Sequence, residues 1–559
     1  MKRAHSQTTA SVRSDADMRF RRSASFQPAV SPTSSRQTVE WQKEIGTSER
    51  LAGSPRPRIG NPRDSRLAVC ATCRALAALA IVTLMLFAGC AVGPDYHRPA
   101  AVTTMPDAYA GASNEWKTAT PQAHLPKGAW WEIFGDDELN RLEAQAAEAN
   151  QQLQAAVARF AQARASADVA RSGLFPRIGA GFAATRQRAS ENRPSNLTGE
   201  AVGNSPTYNT FILPFDLTYE VDLWGRVRRQ VESARAIAQA DAADLEGVRL
   251  AIAAEVAADY FTLRALDAEK TALVASIEAY RKSLELTHNR RAAGLVSDLD
   301  VAQAETVLKT AEAQLPVITL TQAKFEHALA ALTGQPAPLF KLPAVSLDRE
   351  SPFIPPELPS ALLERRPDIA AAEQRMAAAN AAIGVAKAAF FPVVRFNGLA
   401  GFQSIDAGTL FDWPSRLWAV GPSVSLPLFE GGRKSAEMRR AKAAYQETVA
   451  RYRDTVLRAF AEVEDNLAAQ RLLADQYEQE LAALASARRQ LEIAQNRYRS
   501  GLVSYLHVTT AQNTVLERER AVARLRGQRF VAAVALIKSL GGSFTAEPST
   551  NVAQKGQSP

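Results

Sequence analysis

The sequence predicts a mixed membrane α/β protein, internally duplicated, with strands at one end of each copy and very long helices running away from them. Three observations carry this. Sequence motifs recur in one fixed order about two hundred residues apart. Two stretches of more than sixty residues lack proline and hold a single glycine, Gly247. Each copy offers only two strand-like runs, too few to close a barrel within one chain.

The start of the chain is unlike the rest. Residues 1–89 hold 14 Lys and Arg against 6 Asp and Glu, and the remainder holds 52 of each. The net charge of +8 is therefore all upstream, and no basic stripe for nucleic acid remains downstream. Residues 1–65, rich in Ser, Arg, Gln and Pro, read as a disordered extension. Arg66 and Arg74 then precede a fourteen-residue apolar run, Ala75 to Ala88, too short to span a bilayer comfortably. Residues 66–89 read as a lipoprotein signal peptide. The pentapeptide Leu-Phe-Ala-Gly-Cys resembles a lipobox, with Phe87 where Leu is more usual, and Cys90 is the expected lipid attachment site. The competing reading is a buried cysteine in a short core helix. A signal with so long a leader implies a translation start near Leu67 or Val69. Cys70 and Cys73 form a lone CxxC upstream of the cleavage point, so a zinc or redox role is not expected. The mature chain keeps Cys90 alone and has no intramolecular disulfide.

Downstream, residues 90–136 form an N-terminal periplasmic segment, 137–345 the first repeat, 346–366 a linker, 367–542 the second repeat and 543–559 a flexible tail. Asn289–Glu305 pairs with Asn496–Gln512, and Gly225-Arg226 pairs with Gly432-Arg433, both at a spacing of 207. Pro176 pairs with Pro392 at 216. Each copy opens with an Ala-rich helix, Asp137–Ser172 or Pro367–Ala389, that a Phe-Pro step ends. Two strands follow: about Arg177–Arg188 and Tyr208–Leu223, then Val393–Ser404 and Leu417–Phe429. Next come the long helices, Arg226 to about Arg291 and Arg433 to about Arg499, each roughly 100 Å at 1.5 Å per residue. Val227, Val231, Ala234 and Ala238, and Tyr445, Val449, Tyr452 and Val456, step by fours and threes as a coiled-coil seam. Turns at Gly294–Ser297 and Gly501–Ser504 end these helices, Ser caps the next, and helices Asp298–Thr333 and Tyr505–Leu540 return.

Four strands cannot close on themselves, and open edges are not tolerated in hydrocarbon. Several copies must therefore share one barrel. Two would supply eight strands with a filled lumen, three would supply twelve with room for a passage.

In the mature chain several segments, in the order Cys90–Pro99, Trp130–Asn150, Tyr219–Arg229, Arg365–Pro392, Pro427–Arg433 and Asn496–Ser504, resemble outer-membrane factors of the TolC family. The resemblance is to its lipidated branch, the NodT-like lipoproteins of RND-type efflux systems. It implies a homotrimer with a twelve-stranded β-barrel in the bacterial outer membrane, continued by a long periplasmic twelve-helix α-barrel. It implies no catalysis, no metal and no cofactor beyond the lipid on Cys90. It implies a periplasmic adaptor, an inner-membrane transporter, and drugs or other small amphiphiles as cargo. It places the periplasmic gate and adaptor contact at Gly294, Leu295, Val296, Ser297, Gly501, Leu502, Val503 and Ser504, with Leu506 as an apolar constriction. Many members carry an acid after the second turn, where this chain has Thr510, one turn after His507. Asp298 and Asp300 are candidate acidic gate residues instead, and helix-start carboxylates favoured by the dipole are the competing reading.

Other classes leave little trace. Gly179–Ala184 fits GxGxxA but follows a helix and a proline, so it reads as a small-residue strand. The six histidines lack metal spacing. Trp130 and Trp131 are expected to pack on the helices, and Trp413 and Trp418 to anchor at a membrane interface. The rival to a conduit is a structural lipoprotein that tethers envelope layers, which would not need the strands.

Overall fold

The computed structural model describes residues 91–100, 128–188, 190, 207–347, 349–352, 354 and 365–542. The extension 1–65, the signal 66–89, Cys70, Cys73, Cys90 and the tail 543–559 lie outside the described residues. The chain runs α1 (Asp137–Ala149), α2 (Gln151–Ser172), β1 (Arg177–Ala180), β2 (Ala183–Arg188), β3 (Thr207–Val221), α3 (Arg226–Ala292) and α4 (Asp298–Leu332). It continues with α5 (Pro367–Ala388), β4 (Val393–Ser404), β5 (Arg416–Ser425), α6 (Arg433–Arg499) and α7 (Tyr505–Ser539). Both long helices have 67 residues and both return helices 35.

Two expected elements are broken. The helix expected over Asp137–Ser172 is two helices, parted at Asn150. The Asn150 backbone is extended, and its side-chain oxygen accepts from the Gln152 and Leu153 amides at 2.9 and 3.0 Å. Asn is a strong N-cap, and helical patterning on both sides hides the interruption in the sequence. The strand expected over Arg177–Arg188 is β1 plus β2, interrupted at Gly181 and Phe182. Pro214 of β3 stands opposite Gly181 and has no amide hydrogen to give the ladder.

The strands form one antiparallel sheet in the order β1/β2, β3, β4, β5, which leaves β1/β2 and β5 as its edges. Its registers repeat the duplication. Arg177 stands opposite Thr218, and Val393 opposite Ser425, the same pair displaced by 216 and 207.

Toward the strands α3 packs between α2 and α5, and toward the far tips it packs between α4 and α7. The outer helix α6 touches α5 and α7. The approach of α3 and α7 is close enough that a Cβ on Gly527 would stand 2.4 Å from the Ala265 Cβ, so only glycine fits there. The largest core lies at the joint where the return helices meet the upper ones. Phe261 stacks on Phe530 at 4.5 Å and Phe134 tilts onto Phe261 at 4.8 Å, with Trp130 and Leu142 around them. The duplication holds at this joint too. Asn150 Nδ2 donates to the Leu332 carbonyl at 2.9 Å, and Arg366 Nη1 donates to the Ser539 carbonyl at 3.1 Å. Leu332 and Ser539 are again 207 apart. Each upper helix is thus tied through its N-cap residue to the last turn of a return helix, which satisfies carbonyls the helix end leaves open.

Candidate functional site

The two ends of the molecule have different chemistry, and the sheet comes first. Pairing register puts alternate residues on one face. One face carries Ile178, Phe182, Phe211, Leu213, Phe215, Leu217, Phe396, Phe402, Trp418, Val420 and Val424. The other carries Arg177, Thr185, Gln187, Thr210, Asp216, Thr218, Glu220, Arg395, Asn397, Ser423 and Ser425, with Ile212, Pro214, Val393, Leu399 and Leu417 as large apolar exceptions. Polar side chains on the second face bond one another, as Gln187 Nε2 to the Tyr208 hydroxyl at 2.7 Å and Asn397 Nδ2 to the Ser423 hydroxyl at 2.8 Å. On the first face Phe182, Trp418 and Val424 are exposed by 64, 77 and 66%. Large apolar groups held out in a row are expensive in water and suit hydrocarbon. That face turns polar only at the strand ends distant from the helices, at Arg186, Arg188, Asn209, Ser404 and Arg416. Its apolar part on β3 runs from Phe211 to Val221, about 33 Å of strand and roughly 25 Å of height at the usual tilt. Trp413, beyond the strand, and Trp418 lie near the polar limit, as interfacial aromatics do.

The helical tips are the second site. Gly294 and Gly501 have φ of 73° and 72°, left-handed values that glycine adopts without strain. At each, amides reach back over the helix end: Leu295 to the Arg290 carbonyl and Leu502 to the Arg497 carbonyl, both at 2.9 Å. This is the Schellman arrangement. It holds Leu295 and Leu502 outward, exposed by 67 and 69%, with Leu506 exposed beside them. Val296 and Val503 turn inward against a small core of Tyr498, Tyr505, Val508 and Ala304.

Past the turns the copies differ. In the first, Asp300 accepts from the Ser297 amide and hydroxyl at 3.1 and 3.0 Å. Asp298 takes both nitrogens of an Arg291 fork at 2.6 and 2.8 Å. The hydrogen bond from that guanidinium holds the Asp298 carboxyl below its ordinary range. In the second copy Ser504 holds the N-cap position but makes no side-chain cap, contrary to expectation. The residue three positions on is His507, which offers no carboxylate for a capping box. The counterparts of Arg291 and Asp298 are Tyr498 and Tyr505, with ring centroids 5.3 Å apart. These tyrosines join the two hairpins. Arg290 lies over the Tyr498 ring at 4.6 Å and donates to its carbonyl at 3.1 Å, and the Tyr505 hydroxyl meets that of Ser283 at 2.9 Å. Sequence reasoning missed Arg290, Ser283, Tyr498 and Tyr505. The signal was there: two tyrosines stand in one repeat where the other has an ion pair.

The sequence profile described as outer membrane efflux protein matches residues 142–335 and 358–542. The chain belongs to the outer membrane efflux protein family. Outer membrane protein OprJ of Pseudomonas aeruginosa is 33% identical over 487 residues, covering 86% of this chain and 98% of its own. Toluene efflux pump outer membrane protein TtgF of Pseudomonas putida is 32% identical over 471 residues, covering 83% of this chain and 96% of its own. The solved structure of the outer-membrane channel OprN superposes with a TM-score of 0.72 at 30% identity, over 81% of this chain and 99% of that one. An outer membrane efflux protein is a transport component and not an enzyme. This one is the outer-membrane channel component of an efflux pump. Among the described residues no helix is long and apolar enough to cross a membrane, so the outward apolar face of the sheet is the membrane-compatible surface they offer.

Proposed function

We propose that three copies of this chain close a twelve-stranded barrel in the outer membrane. Their helices continue it as a twelve-helix tunnel across the periplasm, through which small amphiphilic compounds leave passively. The observation that carries this reading is the pair of open sheet edges together with the duplicated registers. Within one chain β3 pairs with β4, from Val221 opposite Val394 to Phe211 opposite Ser404. Displaced by one repeat, the same pairing sets β5 against β1/β2 of the next copy. Leu428 then faces Ile178, Val420 faces Arg186 and Trp418 faces Arg188. This register would keep Leu428, Leu426 and Val424 on the same side as Ile178, Ala180 and Phe182, which supports an apolar band continuous around the ring.

The remaining parts follow from the same arrangement. A lipid on Cys90 is the expected covalent group. It is supported by the next residues, since the Val92 amide donates to the Trp224 carbonyl at 3.0 Å, at the junction of sheet and helices. That junction is the level at which a lipid chain would enter the inner leaflet. The tips at Gly294–Ser297 and Gly501–Ser504, with Leu506, form the gate and meet a periplasmic adaptor, which couples to an inner-membrane transporter. The toluene named in one relative supports small apolar or amphiphilic cargo for this chain. Asp298 and Asp300 are spoken for by Arg291 and Ser297, which favours their role as helix-start carboxylates over a free acidic ring.

Paired cysteines test the closure. With an ordinary cleavable secretory signal in place of residues 1–89 and Cys90→Ala, so that no native cysteine remains, Ser423→Cys with Ala183→Cys is expected to give disulfide-linked dimers and trimers on oxidation. Ser423→Cys with Gln187→Cys, four residues out of register, is expected to stay monomeric on a denaturing gel. Equal crosslinking of both pairs, or none of either, would overturn the shared barrel.

A further inference from the structure

Between α1, α2 and α3 lies a cavity of about 510 Å³, within the usual size of a small-molecule site. It is open because α1 presents Ala146 and Ala147 there, where larger side chains would fill the space. Leu250 and Ile252 line one wall. Trp130 and Trp131 stand edge-on to one another at 5.7 Å in the other. Into this mostly apolar space α1 also brings Glu143. The residue is 2% exposed, and its Oε1 has no hydrogen-bond partner. A buried polar atom left unpaired is costly, and native structures hold few of them.

Only an ionised Glu143 would leave the charges around it unbalanced. Besides Glu143, the titratable groups lining the cavity among the described residues are Glu246 and Arg249 of α3. Those two pair with each other at 2.8 Å. The guanidinium is thus committed, and an ionised Glu143 would share no part of it. Among the described residues no positive charge stands beside Glu143, and an aromatic face lies next to it, which is the environment an ammonium seeks.

We propose that this cavity binds an organic ammonium with an apolar body, the charged nitrogen against the Glu143 carboxylate and the body along Trp131 and the α3 wall. The inference goes beyond the conduit reading and does not need the chain to conduct. Burial pushes the Glu143 carboxyl up to about 9, so in the empty cavity it is protonated at pH 7. Seating an ammonium makes the ionised form the favoured one. The carboxyl then gives its proton to the buffer, and close to one proton leaves per ammonium bound.

Calorimetry on the full, detergent-purified protein reads this directly. The probes are 4-phenylbutylamine, charged at pH 7, and 4-phenylbutanol, its neutral counterpart. The amine is expected to bind at least about tenfold more tightly than the alcohol, an effect of the size charged hydrogen bonds allow. Its apparent heat should vary with the ionisation heat of the buffer, which counts the released proton. Glu143→Gln, which keeps the side chain's size and neutral form, should abolish the amine's advantage and the proton release while leaving the alcohol unchanged. Val157→Trp, at the edge of the cavity, should weaken both probes and locates the binding. Equal affinities for amine and alcohol in the unmodified protein would overturn the proposal. So would an amine affinity untouched by Glu143→Gln, or no binding of either probe. Export and conductance are not read here, so the conduit reading stands or falls on the cysteine pairs instead.

Discussion

The helices α3 and α6 have the same length, the same left-handed glycine before them and the same turn after them, yet they live in different surroundings. Of their 67 residues, 25 are buried in α3 and 9 in α6. The return helices show the opposite bias, with 8 buried in α4 and 17 in α7. Position in the layer explains both. Toward the tips the order is α4, α3, α7, α6, so α3 and α7 are interior and α4 and α6 are edges. The edges keep apolar side chains exposed: Leu299, Val317 and Leu320 on α4, Leu457, Leu472 and Ile493 on α6. Two repeats with one ancestry would be buried alike if each had two neighbours. The deficit on α6 thus reads as a missing neighbour, which the proposed ring would supply from the α4 edge of the next copy.

The largest effect that tests this contrast belongs to the interior. Phe261→Ala on α3 removes a ring that is 1% exposed and stacked between Phe134 and Phe530. It is expected to destabilise the subunit by about 3–5 kcal/mol, seen as a lower midpoint in denaturant. Leu472→Ala on α6 should leave that midpoint within about 0.5 kcal/mol. It should instead lower the temperature at which assembled protein falls apart in detergent. If the two substitutions act alike, α6 is no subunit edge.

Much of this is legible in the sequence. Fixed spacings of 207 and 216 located both turns, both long helices and the hairpin of β4 and β5, because glycine and proline act locally and leave the same mark in each copy. The seam was legible in part: Val227, Val231 and Val456 are buried where the periodicity put them, while Ala234, Tyr445 and Val449 are only half-buried. The break at Asn150 was not legible. A cap residue between two helical patterns looks like a helix interior until the Leu332 carbonyl that receives its side chain is known. Nor was Glu143, which reads in sequence as one more exposed glutamate of an Ala-rich helix. Its burial is decided by Trp131 and by α3, about a hundred residues away. The tips show the same division. The turns follow from glycine, but the link between hairpins comes from side chains distant in sequence.

The tips repeat the interior-against-edge contrast on a smaller scale. Tyr505→Phe deletes one hydroxyl and its bond to Ser283, inside a packed cluster. A hydrogen bond of this kind contributes about 1 kcal/mol, a factor of roughly five in a local opening equilibrium. Amides near Ser283 and Gly501 should therefore exchange with deuterium about fivefold faster, with no change in the sheet. Unchanged exchange at Ser283 would mean that the hairpins are held by something other than the tyrosines.

The matching position in the first copy should yield the smallest effect. Asp298 and Arg291 form a two-pronged pair, but both are exposed, and such pairs are screened by salt and contribute little. Asp298→Asn is expected to change exchange at the first tip by less than about twofold at physiological salt. Its pH dependence has a definite sign. The carboxyl is held below its ordinary value of 3.8 in the folded protein. Whatever stability the pair gives is present above that value and lost as pH falls below it. Between pH 5 and 8 the tip should therefore not respond to Asp298 at all. A first tip that loosens near neutral pH, in the unmodified protein but not in Asp298→Asn, would show an Asp298 titrating far above its ordinary range. That outcome would return this residue to the acidic-gate reading that its pairing with Arg291 now disfavours.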